Sequence, residues 1–243
     1  MEDTADRRLK MEGILYGVGV GPGDPELMTL KAVRIIRECA TIGIPAETAD
    51  SCTAYQVAAK AVPEIVGKPV LAVPVPMTKG RKKLSCVYDE GCRRLMEELE
   101  KGRNIAFLNL GDPSVYGTYM EFHSRILKAG YQAEVINGVP SFCAVAAALD
   151  IALGARKEQI HILPGNYGAG EWEQYSGTRI LMKSGGRIGE VKEQLLQSER
   201  DGNITAYAVT NCGMERQKIF HDIGELGEDA GYFTTIVVKD EDN

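Results

Sequence analysis

The chain has 243 residues, 44% of them hydrophobic and 26% charged, an ordinary balance for a soluble globular enzyme. That length exceeds one small core and suits two medium α/β domains. A net charge of −6 and a pI near 5.3 argue against a nucleic-acid partner, whose phosphates need a basic surface. No run approaches the roughly 18 unbroken apolar residues of a membrane span, so no membrane partner is expected. Residues 1–11 are polar and lack the apolar stretch of a secretory signal. They read as a flexible tail, and a cytoplasmic location is expected. The cysteines Cys39, Cys52, Cys86, Cys92, Cys143 and Cys212 form no CxxC pair, and none stands at metal-site spacing from a histidine. They read as reduced thiols, and no metal is expected.

The first element is an apolar strand over 14–20, followed by the turn Gly21-Pro22-Gly23-Asp24-Pro25. Asp24 suits a helix cap and Pro25 the first helical turn, so a helix is predicted over 25–39. Leu27, Leu30, Val33 and Ile36 recur near helical spacing and are expected to face a sheet. A short strand over 40–44, a helix over 53–61 and a strand over 70–75 follow. The run Met77-Thr78-Lys79-Gly80-Arg81-Lys82-Lys83 reads as a basic loop. It is either a solvated surface run or a rim that meets substrate carboxylates.

A helix is predicted over 85–101, stopped by Gly102. The continuous apolar run over 105–110 reads as a buried parallel strand. It ends at Gly111-Asp112-Pro113, repeating the device that closes the first strand. A helix over 118–129 and a strand over 132–136 come next. The turn at Asn137-Gly138-Val139-Pro140-Ser141 then feeds a small alanine-rich helix over 142–149. The domain boundary is placed here, giving an N-terminal domain over 12–138 and a C-terminal one over 139–243. Beyond it, strands are predicted over 159–163, 178–183, 204–209, 217–221 and 233–239, with one helix over 189–198 and a loop over 165–170. Pairing of 218–222 with the final strand would make this second sheet mixed. The fold class is therefore α/β: a largely parallel N-terminal sheet with flanking helices, and a mixed C-terminal sheet with helices.

Two strands ending in Gly-Asp-Pro point to one ligand site at one sheet edge, the usual place in open α/β sheets. The glycines do not form a dinucleotide fingerprint. GxGxxG started from Gly17, Gly19 or Gly21 meets Pro22, Asp24 or Glu26 at its last position. A P-loop is absent too, since Gly67-Lys68 is followed by Pro69. An acid at a helix mouth repels a pyrophosphate. It suits a ligand with a cationic part, such as the ammonium and sulfonium of S-adenosylmethionine.

The segment from Tyr16 to Ala32, YGVGVGPGDPELMTLKA, resembles the opening signature of the tetrapyrrole methylases, the class III S-adenosylmethionine-dependent methyltransferases. The segment from Leu110 to Met120, LGDPSVYGTYM, resembles that family's second signature. Its continuation is most similar to the branch that methylates C-20 of precorrin-2 or cobalt-precorrin-2 in cobalamin synthesis. Gly138-Val139-Pro140-Ser141 resembles a third block. The likeness runs from Glu12 along nearly the whole chain and is weaker in the C-terminal half.

The resemblance implies a homodimer whose subunits hold the cofactor in a cleft between their two domains. By position, it places Pro22, Leu110, Gly111, Asp112 and Val115 at the cofactor, with Asp112 near the methionine amino group. Ser141, Phe142, Met182, Ala208 and Thr235 follow as cofactor contacts. Sister branches often carry Gly or Ser where this chain has Leu110, which would narrow the pocket. Alternatives are methylation of another tetrapyrrole position, or a nucleotide-binding α/β protein that is no methyltransferase.

Methyl transfer from a sulfonium needs alignment and exclusion of water more than activation of the donor. Loss of a proton from C-20 calls for a base within reach, and Tyr116, Tyr119 and His123 follow the second signature. The acceptor's acetate and propionate groups call for cations, for which Lys79, Arg81, Lys82, Lys83 and Arg125 are the candidates.

Overall fold

One strand feeds two cores in this chain. The computed structural model describes residues 12–76, 81–164, 171–183, 187–227 and 230–241, with only the backbone at 81–83. Within it the chain divides into two units, one up to Pro140 and one from Ser141 onward.

In the first unit the strands are β1 (Ile14–Gly19), β2 (Thr41–Ile44), β3 (Val70–Ala72), β4 (Ile105–Asn109) and β5 (Gln132–Ile136). They form one parallel sheet in the order β3-β2-β4-β1-β5. All five residues of β4 are buried, as a central parallel strand requires. Its side chains alternate. Ala106 and Leu108 join one core, which takes in helices α1 (Leu30–Glu38) and α2 (Thr53–Ala61). Ile105 and Phe107 join the other, which takes in α3 (Arg81–Leu99) and α4 (Tyr119–Lys128).

Four expectations shift here. The helix predicted over 25–39 is broken into a 3-10 turn, Pro25–Leu27, and then α1. The Asp24 carboxylate accepts from the Glu26 N–H (2.8 Å) and closes the turn. Thr29 then caps α1 afresh, its Oγ1 accepting from the Ala32 N–H (3.1 Å). The restart changes the phase. Met28, Ala32, Ile35, Ile36 and Cys39 are buried, while Leu30 is 89% exposed. The predicted strand over 70–75 is cut to Val70–Ala72. The basic run is not wholly a loop, because Arg81, Lys82 and Lys83 belong to the first turn of α3.

The second unit holds α5 (Ser141–Leu149), β6 (Ile160–Pro164), β7 (Thr178–Met182), α6 (Ile188–Arg200), β8 (Ile204–Thr210), β9 (Lys218–Phe220) and β10 (Thr234–Asp240). The sheet order is β6-β7-β10-β8-β9. Only β6 and β7 run parallel, so the sheet is mixed. The fourth shift lies here. Residues 218–222 do not pair with the final strand: β9 pairs with β8, and β10 lies between β7 and β8. A short β8–β9 connection makes a local hairpin, which leaves the long apolar β10 for the sheet centre. The loop predicted over 165–170 lies outside the described residues. Arg179, fully buried on β7, is paired with Asp240 of β10 and lies over the Trp172 ring, 5.7 Å from its centroid.

The tightest fit in the first unit is under β1. The Tyr119 ring lies against Gly17, where an added Cβ would stand 2.1 Å from the ring. Gly17→Ala is expected to destabilise the protein by about 1–3 kcal/mol, the usual cost of overpacking a full core. A urea denaturation midpoint unchanged from wild type would count against that packing.

Candidate active site

Three strand ends meet at one edge of the parallel sheet: the turn after β1, the loop after β4 and the turn after β5. Sheet pairing continues briefly beyond the strands. The Val20 N–H donates to the Asn109 carbonyl (3.0 Å), and the Gly111 N–H to the Gly21 carbonyl (2.7 Å). Gly21 and Gly111 form an isolated antiparallel bridge, and both have positive φ (74° and 72°). The bridge sets Pro22 beside Leu110 and Gly111.

β1 lies between β4 and β5, so the β4 loop must arch over the end of β1 to reach the β5 turn. It does so through Asp112, which is 6% exposed. One carboxylate oxygen accepts from the Ser114 N–H (2.8 Å) and the Ser114 hydroxyl. The other accepts from the Gly138 N–H (3.0 Å) and Asn137 Nδ2 (3.3 Å). The arch needs small residues beneath it. A Cβ on Gly19 would stand 2.5 Å from the Gly138 nitrogen and 2.6 Å from the Gly111 oxygen. Thr29 adds a further tie, its hydroxyl donating to the Asn137 carbonyl (3.3 Å).

Burial alone would push the Asp112 carboxyl up. The donors from Ser114, Gly138 and Asn137 outweigh it and hold the group below its ordinary value. Asp112 therefore stays ionised while spending its lone pairs on the protein. The two Gly-Asp-Pro turns share one local device, since Asp24 and Asp112 each accept from the N–H two residues on. Only Asp112 adds a long-range clasp. Sequence reading missed Ser114, Asn137, Gly138 and Thr29 as its parts. The spacing Asp112 to Ser114 was the available signal, because it is that of an Asx turn.

The other candidates separate. Pro22, Gly111 and Asp112 are buried at the mouth, with Leu110 and Val115 half-buried beside them. Tyr116 is 43% exposed and held at φ 50°. Tyr119 is fully buried in the core under Gly17. Its Oη lies 2.7 Å from the Glu134 carbonyl, 3.1 Å from the Leu15 carbonyl and 3.2 Å from His123 Nδ1. Burial pushes its phenol well up. Tyr119 is thus a packing residue and no base, and His123 is the half-buried partner against it. Arg125 is already engaged with carboxylates of this chain. It sits further down α4, paired with Asp89 and Glu121 (both 3.4 Å) and stacked on Tyr88 (5.4 Å). Lys79 and the side chains of Arg81, Lys82 and Lys83 lie outside the described residues.

In the second unit, Ser141 and Phe142 open α5 and are half-buried. Met182 and Thr235 are register partners on β7 and β10, so their side chains share one face of the sheet. Ala208 pairs with Ile236, one residue out of step, and is fully buried in the core beneath α6. Its side chain is on the opposite face from Met182 and Thr235.

Among known proteins, the tetrapyrrole (corrin/porphyrin) methylases match residues 14–227. A probable cobalt-precorrin-2 C(20)-methyltransferase of Methanocaldococcus jannaschii is 30% identical over 215 residues, covering 88% of each chain. Cobalamin biosynthesis protein CobIJ of Mycobacterium tuberculosis is also 30% identical, over 220 residues. That match covers 87% of this chain, which spans only 43% of the relative's length. In fold, the chain resembles uroporphyrin-III C-methyltransferase of Thermus thermophilus, solved in complex with S-adenosylhomocysteine. The TM-score is 0.67 at 22% identity, covering 93% of this chain and 97% of that one.

Asp112→Asn is expected to cost about 1–3 kcal/mol, since an amide cannot accept from all four donors and leaves one of them buried and unpaired. The wild-type contribution is fully present well above the carboxyl's ordinary value of 3.8, and is lost as pH falls through its lower folded value. Chemical denaturation from pH 7 down to pH 3 should therefore show a shallower loss of stability for the variant. Parallel curves would remove Asp112 from the clasp.

Proposed function

The chain belongs to the tetrapyrrole methylase family, and from that premise we propose that it transfers a methyl group from S-adenosylmethionine to C-20 of precorrin-2 or cobalt-precorrin-2 in cobalamin synthesis. The observation that carries the reading is the 30% identity to a probable C(20)-methyltransferase over 88% of both chains. Similarity that runs end to end covers the whole catalytic scaffold rather than one shared motif.

The strand-end mouth fits such a cofactor. On the side of Gly111 where a Cβ would stand, the nearest atoms are 4.0 Å away, so a ligand can approach the backbone there. Asp112 supplies a fixed negative charge at the same loop, matched to the ammonium of a methionine moiety. When bound, S-adenosylmethionine supplies an electrophilic methyl on a sulfonium that departs as a neutral thioether. The protein's work is then positional. The Gly21–Gly111 bridge and the Asp112 clasp hold the loop in one conformation before any ligand arrives, which lowers the cost of alignment. Leu110 and Val115 are half-buried apolar residues at the same loop and would shield a bound cofactor from water. Met182 and Thr235 are retained as cofactor-facing residues of the second unit, and Ala208 only through its backbone.

The reading extends to a homodimer working in the cytoplasm. Leu30 at 89% and Val66 at 69% exposure are apolar side chains suited to cover by a second copy. Four of the six free thiols, Cys39, Cys52, Cys92 and Cys212, are buried, as suits a reducing compartment.

The test is anaerobic transfer from methyl-labelled S-adenosylmethionine to precorrin-2, offered with and without cobalt. Label at C-20 is the expected outcome, and the form labelled identifies the natural acceptor. Tight S-adenosylhomocysteine binding without label on either form would keep the cofactor and overturn the acceptor.

A further inference from the structure

One end of the second unit's sheet carries features that the cofactor reading does not use. Register places the end of β7, the end of β8, the start of β9 and the start of β10 together there. Immediately before β10, Tyr232 and Phe233 are 41% and 38% exposed. Their rings meet edge to face, 5.4 Å apart at 76°. Two neighbouring large aromatics at this exposure forgo part of the roughly 1.5–3 kcal/mol that full burial of a side chain the size of Phe is worth. A contiguous aromatic pair on the surface is a candidate contact for a ligand or partner.

The backbone around the pair is built to hold it. Thr234 is tied by its hydroxyl to the Gly231 carbonyl (2.7 Å). The Asn211 N–H donates to the Phe233 carbonyl (2.9 Å). Asn211 and Lys183 both have positive φ, 50° and 61°, a region that residues with a Cβ rarely adopt. The described residues contain five non-glycine positions of this kind, and two of them fall at this one sheet end. Strain of this sort persists where surrounding structure fixes a side chain for use. Lys183 Nζ lies 5.6 Å from the Tyr232 ring centroid. Exposed Arg216 and Lys218 belong to the same end, against the single carboxylate of Glu215 among its described residues.

A flat aromatic surface rimmed by cations suits a ligand that is itself flat, conjugated and fringed with carboxylates. We infer that Tyr232 and Phe233 form a platform for the face of the tetrapyrrole acceptor, with Lys183 and the Arg216–Lys218 edge receiving its carboxylates. The inference rests on the acceptor class proposed above. It deepens that reading by giving the macrocycle a place on this chain. Aromatic side chains bind flat rings through stacking with little sequence or substituent preference, while the cations fix orientation. Tyr232 and Phe233 would therefore set affinity for the ring, and Lys183 the choice among carboxylate patterns.

The experiment titrates the full chain with uroporphyrin, a stable octacarboxylate macrocycle, following its absorbance band. Y232A/F233A is expected to weaken binding about tenfold or more, the loss of one to two ring contacts. Lys183→Met is expected to weaken it less, and to shrink the salt dependence of binding. Tyr232→Phe, which keeps the ring, is expected to retain more of the affinity than Y232A/F233A does. S-adenosylhomocysteine affinity by calorimetry should stay the same in all variants. Equal porphyrin binding by wild type and Y232A/F233A overturns the platform, as does no binding by wild type. Loss of self-association in sedimentation with unchanged porphyrin affinity also overturns it, and gives the aromatics to a subunit interface. Methyl transfer is read separately. Transfer to precorrin-2 with an unchanged acceptor KM in Y232A/F233A sinks the platform but keeps the reaction. Ring-dependent porphyrin binding without methyl transfer keeps the platform and sinks the reaction.

Discussion

The loop after β4 has to cross the end of β1 to reach the turn after β5, and one carboxylate makes the crossing. Asp112 spends both oxygens on it, holding Ser114 locally and Gly138 and Asn137 at the far side. The crossing is so close that the residues beneath and beyond it must be glycine. A Cβ on Gly138 would stand 2.2 Å from the Gly111 oxygen, and one on Gly19 would be 2.6 Å from the same atom. The mouth is therefore rigid because it is crowded. Charge and sterics act together here: the small residues let the backbones meet, and the carboxylate supplies the acceptors those backbones need. A buried carboxylate without these donors would be neutralised or expelled. With them it remains charged, which is the state a cationic ligand requires.

This constraint explains why two similar turns have different fates. Both Gly-Asp-Pro segments close with the same local hydrogen bond. The first lies at the end of β1, with nothing further to cross, and its Asp24 makes only the local turn before Thr29 restarts the helix. The second lies on the strand beside it and must pass over. Position in the sheet, rather than the tripeptide itself, makes one aspartate a turn residue and the other a keystone. For a methyl transfer that depends on alignment, a preformed backbone at the second turn is the part of the work the protein can do in advance.

Much of this was legible in the residues. The continuous apolar run that opens Ile105–Asn109 read as a strand because a buried parallel strand has no polar face. The paired Gly-Asp-Pro turns were expected at one sheet edge, and the Gly21–Gly111 bridge joins them there. What stayed hidden depended on contacts distant in sequence. Leu30 lies in phase with an apolar face only if the helix begins at Pro25, and the cap at Thr29 resets that phase. Arg125 looked like a carboxylate ligand until α3 supplied Asp89 and Tyr88 as its partners. Tyr119 and His123 do meet at i and i+4. Their shared face turns inward because Gly17, about a hundred residues earlier, leaves room for a ring. A missing side chain on one element decides the role of a residue on another, and no local pattern reports it.

Burial of Tyr119 also bears on the chemistry. Its hydroxyl is committed to the Glu134 and Leu15 carbonyls, and its proton is held more tightly than in a free phenol. Proton removal at the acceptor carbon thus has no partner in Tyr119. Tyr116, in the loop after β4, is exposed and strained into the left-handed region. The polar residues placed at the mouth are acceptors and donors committed to backbone geometry. That distribution suits an enzyme whose acceleration comes from geometry, in which the donor carries its own leaving group and the acceptor its own electron density. The side chains then need only to hold the backbone that aligns donor and acceptor, and at the β4 loop Asp112 does that holding.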